Sequence, residues 1–265
     1  MTSLLFLQKY KIAMSLPKTS FKTTDAWLCA LTLVVTQSLV LFWIRLAGRS
    51  SIAFYHWWGS TEGLAFSVIL QGFLWLFWAL WFSRAENLRE LFSKIGLNRK
   101  INLYGYLGAW VAILIGFVDH YGISHGWVAG KNTYGISTNL IDSYYVFFIV
   151  KTIVLVPFYE EVATRGFMFT AFREKYNIAA CVCLICIFSI YFHWGIIAGS
   201  FYTFLCLMSF FTLLCIVREN TDSLWNCMLC HGVYNSVGML FWYPTIIFMF
   251  CILPFIIFSA RDKNG

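Results

Sequence analysis

The stretch VPFYEEVATRGFMFTAFREKYN, residues 156–177, runs through an apolar segment into FSIYFHW, residues 188–194, and decides how this chain folds. Two adjacent carboxylates, Glu160 and Glu161, stand with Arg165 in a segment that is otherwise oily. His193 stands in the next oily segment, and the polar break Arg173-Glu174-Lys175-Tyr176-Asn177 lies between them. Glu160 is 16 residues before Tyr176 and His193 is 16 residues after Asn177. Two antiparallel helices joined at that break would hold Glu160 and His193 at one height, roughly 24 Å from the turn at ~1.5 Å per residue. An ionisable residue inside a membrane segment is a functional-site hypothesis by default.

Composition supports a membrane setting for those segments. The 265 residues are 60% hydrophobic, 20% aromatic and only 12% charged, and the mean hydropathy is +0.72. A soluble domain carries about a quarter charged residues, so lipid must cover much of this surface. The net charge of +7 would point to nucleic acid in a soluble protein. Here the charges flank apolar segments, and the positive-inside rule is the better reading. All nine cysteines lie in or beside apolar segments and read as small buried hydrophobes rather than a disulfide framework.

Outward from the opening stretch, apolar segments of spanning length fall at about 26–44, 63–82, 103–118, 140–160 (continuing as helix towards Phe172), 178–194, 198–217, 224–241 and 244–260. The expected fold is all-α, a polytopic transmembrane helical bundle of about eight helices. Residues 1–24, with Lys9, Lys11, Lys18 and Lys22, read as an interfacial N-terminal arm and not as a cleaved signal peptide. Residues 25–265 then form an integral membrane domain with a catalytic core at about 140–240. With the N-terminus inside, most basic residues fall in inner segments and only Arg45, Arg49 and Lys131 in outer ones. Both termini, the Arg173–Asn177 turn and the polar turn 218–223 are therefore expected on the cytoplasmic side. An unbroken helix over 140–176 would be about 55 Å long against a ~30 Å hydrocarbon core. It must break near Pro157 or project from the membrane.

On an α-helix Glu160 and Glu161 point about 100° apart. Glu161 and Arg165, four apart, share a face that allows an ion pair. Glu160 is then left without a cation, as suits a general base; a purely structural charge cluster is the alternative. In HGVYN, His231 and Asn235 are also four apart and share a face. Both side chains can donate hydrogen bonds to a developing oxyanion or simply bond across helices. With no Gly-x-Ser-x-Gly present, the set fits water-activated amide hydrolysis better than acyl-enzyme chemistry. Cys227-Met228-Leu229-Cys230-His231 also matches C-x-x-C-H, a haem-attachment pattern, but its place inside an apolar helix argues for coincidence. His56, His120 and His125 read as outer-loop residues, and Asp119 with the last two forms at most a weak metal site. Lys151 either snorkels or pairs with Glu86 or Asp222.

At these residues the chain resembles the CPBP intramembrane protease family, also called the CAAX prenyl protease type 2 or Abi family. That family carries E-E-x-x-x-R, F-x-x-x-H and H-x-x-x-N/D, each on a membrane helix. Glu160-Glu161-Val162-Ala163-Thr164-Arg165 and His231-Gly232-Val233-Tyr234-Asn235 match in full, while Ser189 stands where the second motif has Phe before His193. The resemblance implies that Glu160 activates water with His193 orienting it, that His231 and Asn235 form the oxyanion site, and that Glu161 and Arg165 shape the site.

The family has been described both as metalloproteases, which would make Glu160, His193 and His231 zinc ligands, and as metal-free glutamate proteases. The lack of H-E-x-x-H and the 38-residue gap between the two histidines favour the second, with no cofactor required. Implied substrates are membrane-embedded or lipidated peptides, including prenylated ones. The rival class is a non-proteolytic membrane scaffold or a bacteriocin-immunity-type binding protein. A transporter is a third possibility, disfavoured because no repeated or inverted pairing of segments is visible.

Overall fold

The computed structural model describes residues 21–51, 61–125, 149–197, 200–238 and 242–261, with Ala53 and Phe147 besides. Most of the proposed N-terminal arm, the start of the fourth apolar segment, His56 and Lys131 lie outside the described residues. All regular structure among the described residues is helical.

The chain runs through α1 (Thr23–Ser50), α2 (Thr61–Ser83), the short α3 (Leu88–Lys94) and α4 (Leu103–Ser124). A long helix α5 spans 151–173, followed by α6 (Ile178–Phe192) and the single turn α7 (Trp194–Ile197). The chain continues as α8 (Phe201–Thr221), α9 (Leu224–Gly238) and α10 (Trp242–Arg261). Helix therefore occurs in each of the apolar segments. Four helices, α1, α2, α4 and α8, are long and apolar enough to cross a membrane by length and composition. Their outward faces carry Leu31, Phe42, Trp43, Ile69, Phe73, Trp81, Leu107 and Leu114, all exposed, as lipid-facing helices require. Apolar helices of this kind fit an integral membrane protein.

Helix α9 is the hub. It packs most extensively on α4 and also on α8 and α5. Small residues let these helices approach: a Cβ on Gly232 would meet the carbonyl oxygen of Ile153 at 2.8 Å.

Helix α5 does not break at Pro157. Proline has no N–H for the carbonyl four residues earlier, Ile153, and its ring crowds that carbonyl. The backbone widens just before it into a π-helical stretch, Lys151–Leu155, where Val156 N–H reaches Lys151 O. The helix then continues through Val156–Glu161. The expected break near Pro157 gives way to one continuous helix with a widened turn.

Helix α6 differs in the other direction. It stops at Phe192, and His193 is its C-terminal cap at φ −101°, ψ 8°, so this residue sits at a bend and not inside a helix. At 15 residues, α6 is about 22 Å long. At its start Asn177 caps the helix, its side chain accepting from Ala180 N–H at 2.9 Å. The expected turn between α5 and α6 is present.

A second correction concerns 218–223. Arg218 through Thr221 are helical, and the chain leaves the helix only at Asp222, in the left-handed region at φ 49°. Helix persists because Arg218 is fully buried and finds partners inside the protein. His120 likewise belongs to α4 and is not a loop residue. His125, just beyond, stacks on Tyr121 with ring centroids 3.9 Å apart.

The start of α1, the 84–100 connection, the 173–177 turn and the turn at Asp222–Ser223 gather at one end of the bundle. Thr23 Oγ1 donates to Ala171 O at 3.1 Å, Arg84 pairs with Asp25 at 3.0 Å and Arg173 makes a forked pair with Glu219 at 2.9 and 2.7 Å. Leu224 N–H donates to Gly96 O at 3.3 Å, where Gly96 takes φ +83°, a conformation that favours glycine.

Candidate active site

The site is built around a second π-helical stretch of α5, Val162–Met168, where Phe169 N–H reaches Thr164 O, five residues back. Every residue from Tyr159 to Phe172 is buried. Widening of this kind recurs at functional sites because it re-aims side chains and releases carbonyls from the regular ladder. Here the carbonyl of Arg165 takes side-chain partners: Arg218 Nε donates to it at 3.2 Å and Thr170 Oγ1, on the same helix, at 3.4 Å.

Glu161 and Arg165 form the expected pair, with Arg165 Nη1 3.3 Å from Glu161 Oε1 and both side chains buried. Arg165 Nη1 also donates to Thr164 Oγ1 at 3.0 Å, and Thr164 Oγ1 donates to Glu160 O at 2.6 Å. The guanidinium lies over the Phe211 ring, 5.4 Å from its centroid. Breaking such a buried pair by removing one partner costs about 3–5 kcal/mol, because the other charge is left uncompensated.

His231 joins both carboxylates. Its Nδ1 is 2.8 Å from Glu161 Oε1 and its Nε2 is 4.0 Å from Glu160 Oε2. A carboxylate already facing an arginine accepts, so Nδ1–H donates and Nε2 is the nitrogen turned to Glu160. The Phe210 ring holds the imidazole edge-on, with centroids 5.4 Å apart. Glu160 has no Lys or Arg partner among the described ion pairs. The expectation that it lies off the Glu161–Arg165 face agrees with this arrangement.

His193 is half-buried. Its Nδ1 is 2.7 Å from Ser189 O, and its ring packs on Phe211 with centroids 5.2 Å apart, the same ring that Arg165 covers. Ser189 Oγ and Glu161 Oε2 are buried with no hydrogen-bond partner among the described residues. Asn235 is tied to α5, its Nδ2 donating to Thr152 O at 2.9 Å. That carbonyl belongs to the first π-helical stretch. The structure thus brings Glu160, Glu161, Arg165 and His231 into direct contact. His193 adjoins them through Phe211, and Asn235 one turn along α9.

Sequence reasoning missed Arg218, counted there as a turn charge. It braces Arg165 O, reaches Thr170 Oγ1 at 3.4 Å and Asp222 Oδ1 at 3.2 Å. No spacing marks it, because its partners are backbone and distant hydroxyls. Of the readings open for Lys151, snorkelling or a pair with Glu86 or Asp222, the last meets an Asp222 already held by Arg218 at 3.2 Å and by Arg99 at 3.5 Å.

Among the described residues, no three His, Cys, Asp or Glu side chains are gathered closely enough to ligate one ion. Glu160, His193 and His231 are therefore not assembled as a zinc set in this arrangement. The C-x-x-C-H pattern is also not a haem site: Cys227 and Cys230 are fully buried, with their thiols donating to Leu214 O at 3.5 Å and Gly105 O at 3.7 Å.

No curated protein matches the chain, and no solved structure does. Residues 142–237, which carry all three motifs, match the family described as Type II CAAX prenyl endopeptidase Rce1-like, a match that supports the likeness to the CPBP, or CAAX protease, family.

Proposed function

We propose that this protein is an intramembrane endopeptidase that hydrolyses a peptide bond with a water activated by Glu160. The observation that carries the reading is the division of labour between the two glutamates. Arg165 and His231 both engage Glu161, which leaves Glu160 as the buried carboxylate without a cation of its own. Binding alone gains nothing from such a group, since desolvating it costs several kcal/mol.

Glu160 takes a proton from water as the resulting hydroxide adds to the scissile carbonyl carbon. The oxygen of the tetrahedral intermediate gains negative charge and is stabilised by donors from His231 and Asn235. Asn235 retains a second amide N–H beside the one given to Thr152. Glu160 then passes its proton to the departing amine, the C–N bond breaks and a carboxylate product is left. With Nδ1–H committed to Glu161, Nε2 is the nitrogen His231 turns to the oxyanion, where it donates as an imidazolium. His193 orients the water from the bend after α6. No metal is needed for any of these steps.

The substrate proposed is a membrane-embedded or lipidated peptide, prenylated peptides included, that enters from the bilayer or from the end of the bundle rich in basic residues. That end is proposed to be cytoplasmic, together with both termini. The test compares membrane-protein termini by mass spectrometry in cells carrying the native chain or Glu160→Gln. New C-termini that vanish with Glu160→Gln support the protease. Identical termini, with both forms retaining the same bound partner, would replace it with a scaffold or immunity-type binding protein.

A further inference from the structure

A cleft of about 490 Å³ opens at the basic end of the bundle, away from the glutamates, where the 97–101 segment meets the start of α9 and the second half of α10. Arg99 and Lys100 form its polar rim, and Trp225, Ile252, Phe255 and Ile256 its apolar wall. The wall runs on into outward-facing apolar surface: Phe255, Phe250 and Ile247 on α10 and Leu103 and Leu107 on α4 are all exposed. Trp110 and Phe250 close the seam between α4 and α10 higher up, with ring centroids 5.6 Å apart. The indole of Trp225 is fixed by its Nε1–H, which donates to Leu97 O at 2.8 Å.

The charge at this rim is not balanced. Asp222 faces Arg99 at 3.5 Å and Arg218 at 3.2 Å, so one carboxylate is shared by two guanidiniums. Lys100 adds a further exposed cation. Glu219, the next acid along α8, is taken by Arg173 at 2.7 Å. The surplus is positive, it sits at the end of lipid-facing helices, and it adjoins an apolar groove. We infer that this cleft binds one anionic membrane lipid, with its phosphate between Arg99 and Lys100 and an acyl chain along the α4–α10 seam. Each basic residue near a headgroup contributes measurable attraction, and a pocket of this size lies within the range that holds small amphiphiles.

The purified full chain, exchanged into mixed micelles of phosphatidylglycerol and phosphatidylcholine in equal amounts, is examined by native mass spectrometry. The expected result is one retained phosphatidylglycerol, held on the order of tenfold more than phosphatidylcholine. Lys100→Glu should remove that preference. Ile252→Trp, which keeps every charge and fills the groove, should remove the bound lipid altogether. Unchanged thermal unfolding identifies the variants that remain folded, and either variant alone decides the question. Equal retention of the two lipids would overturn the inference, as would a folded variant that keeps its phosphatidylglycerol. Displacement by glycerol 3-phosphate at an equal concentration would also overturn it, since a soluble phosphate needs no acyl groove.

Discussion

His231 Nδ1 lies 2.8 Å from Glu161 Oε1 while its Nε2 faces Glu160 Oε2 at 4.0 Å. One imidazole on α9 thereby reads two adjacent carboxylates on α5 and treats them differently. Glu161 is the anchor, neutralised by Arg165 and bonded to the ring. Glu160 is left across a gap too long for a direct hydrogen bond and suited to a bridging water.

Replacing Glu160 by Gln keeps the volume and removes the base. Turnover should fall by at least about 10²–10⁴-fold, the usual contribution of general acid–base catalysis, while thermal unfolding and substrate capture stay near those of the native protein. A parallel loss of capture would assign Glu160 to binding and not to chemistry.

Arg165→Ala should instead act on stability. It strands Glu161 in a buried position beside His231 and uncovers Phe211, and loss of one buried partner costs about 3–5 kcal/mol. A large fall in the unfolding midpoint is expected, and Arg165→Lys should recover little of it, because an ammonium cannot reproduce the planar fork. A midpoint unchanged in the alanine variant would remove the structural role given to the pair.

Much of this site was legible because its signals are local. Charges four apart on a helix share a face whatever surrounds them, so Glu161–Arg165 could be read from spacing. Equal distances from the 173–177 turn placed His193 on the antiparallel neighbour of α5. What spacing could not carry were the departures from the α-helix. Pro157 signalled a disturbed backbone, but whether the chain breaks or widens depends on the carbonyl of Ile153 and on Gly232 packed against it, a residue far along the chain on α9. Arg218 was invisible for a related reason: its partner is the Arg165 carbonyl, released by a π-helical turn that no residue pattern announces.

Treatment with a tight chelator should leave turnover intact, since Glu160, His193 and His231 are not gathered as three ligands. The decisive comparison is activity before treatment, after it, and after zinc is returned. Inactivation reversed by zinc alone would establish a metal site and a rearranged His193.

Arg218→Lys tests the brace behind the site. The guanidinium holds Arg165 O, Thr170 Oγ1 and Asp222 at once, and a lysine ammonium has neither the reach nor the fork to do so. The charge is kept, so a purely electrostatic role predicts no change. If the brace fixes the widened turn, both activity and unfolding midpoint should fall, with the loss comparable to that of Arg218→Ala. Native activity in the lysine variant would show that the Arg165 carbonyl needs no such partner.

Gly232→Val probes the contact that brings α9 to α5. Even a Cβ at this position would stand 2.8 Å from Ile153 O, an approach that backbone cannot relieve by a side-chain rotation. The helices must separate, and overpacking of this kind costs typically 1–3 kcal/mol. Separation carries His231, the adjoining residue, away from Glu160 and Glu161, and strains the Asn235 bond to Thr152 O. Turnover should therefore fall further than stability, and Gly232→Ala should show a smaller loss of the same kind. Equal, modest losses in both properties would mean that the helix contact supports the fold without setting the geometry of the site.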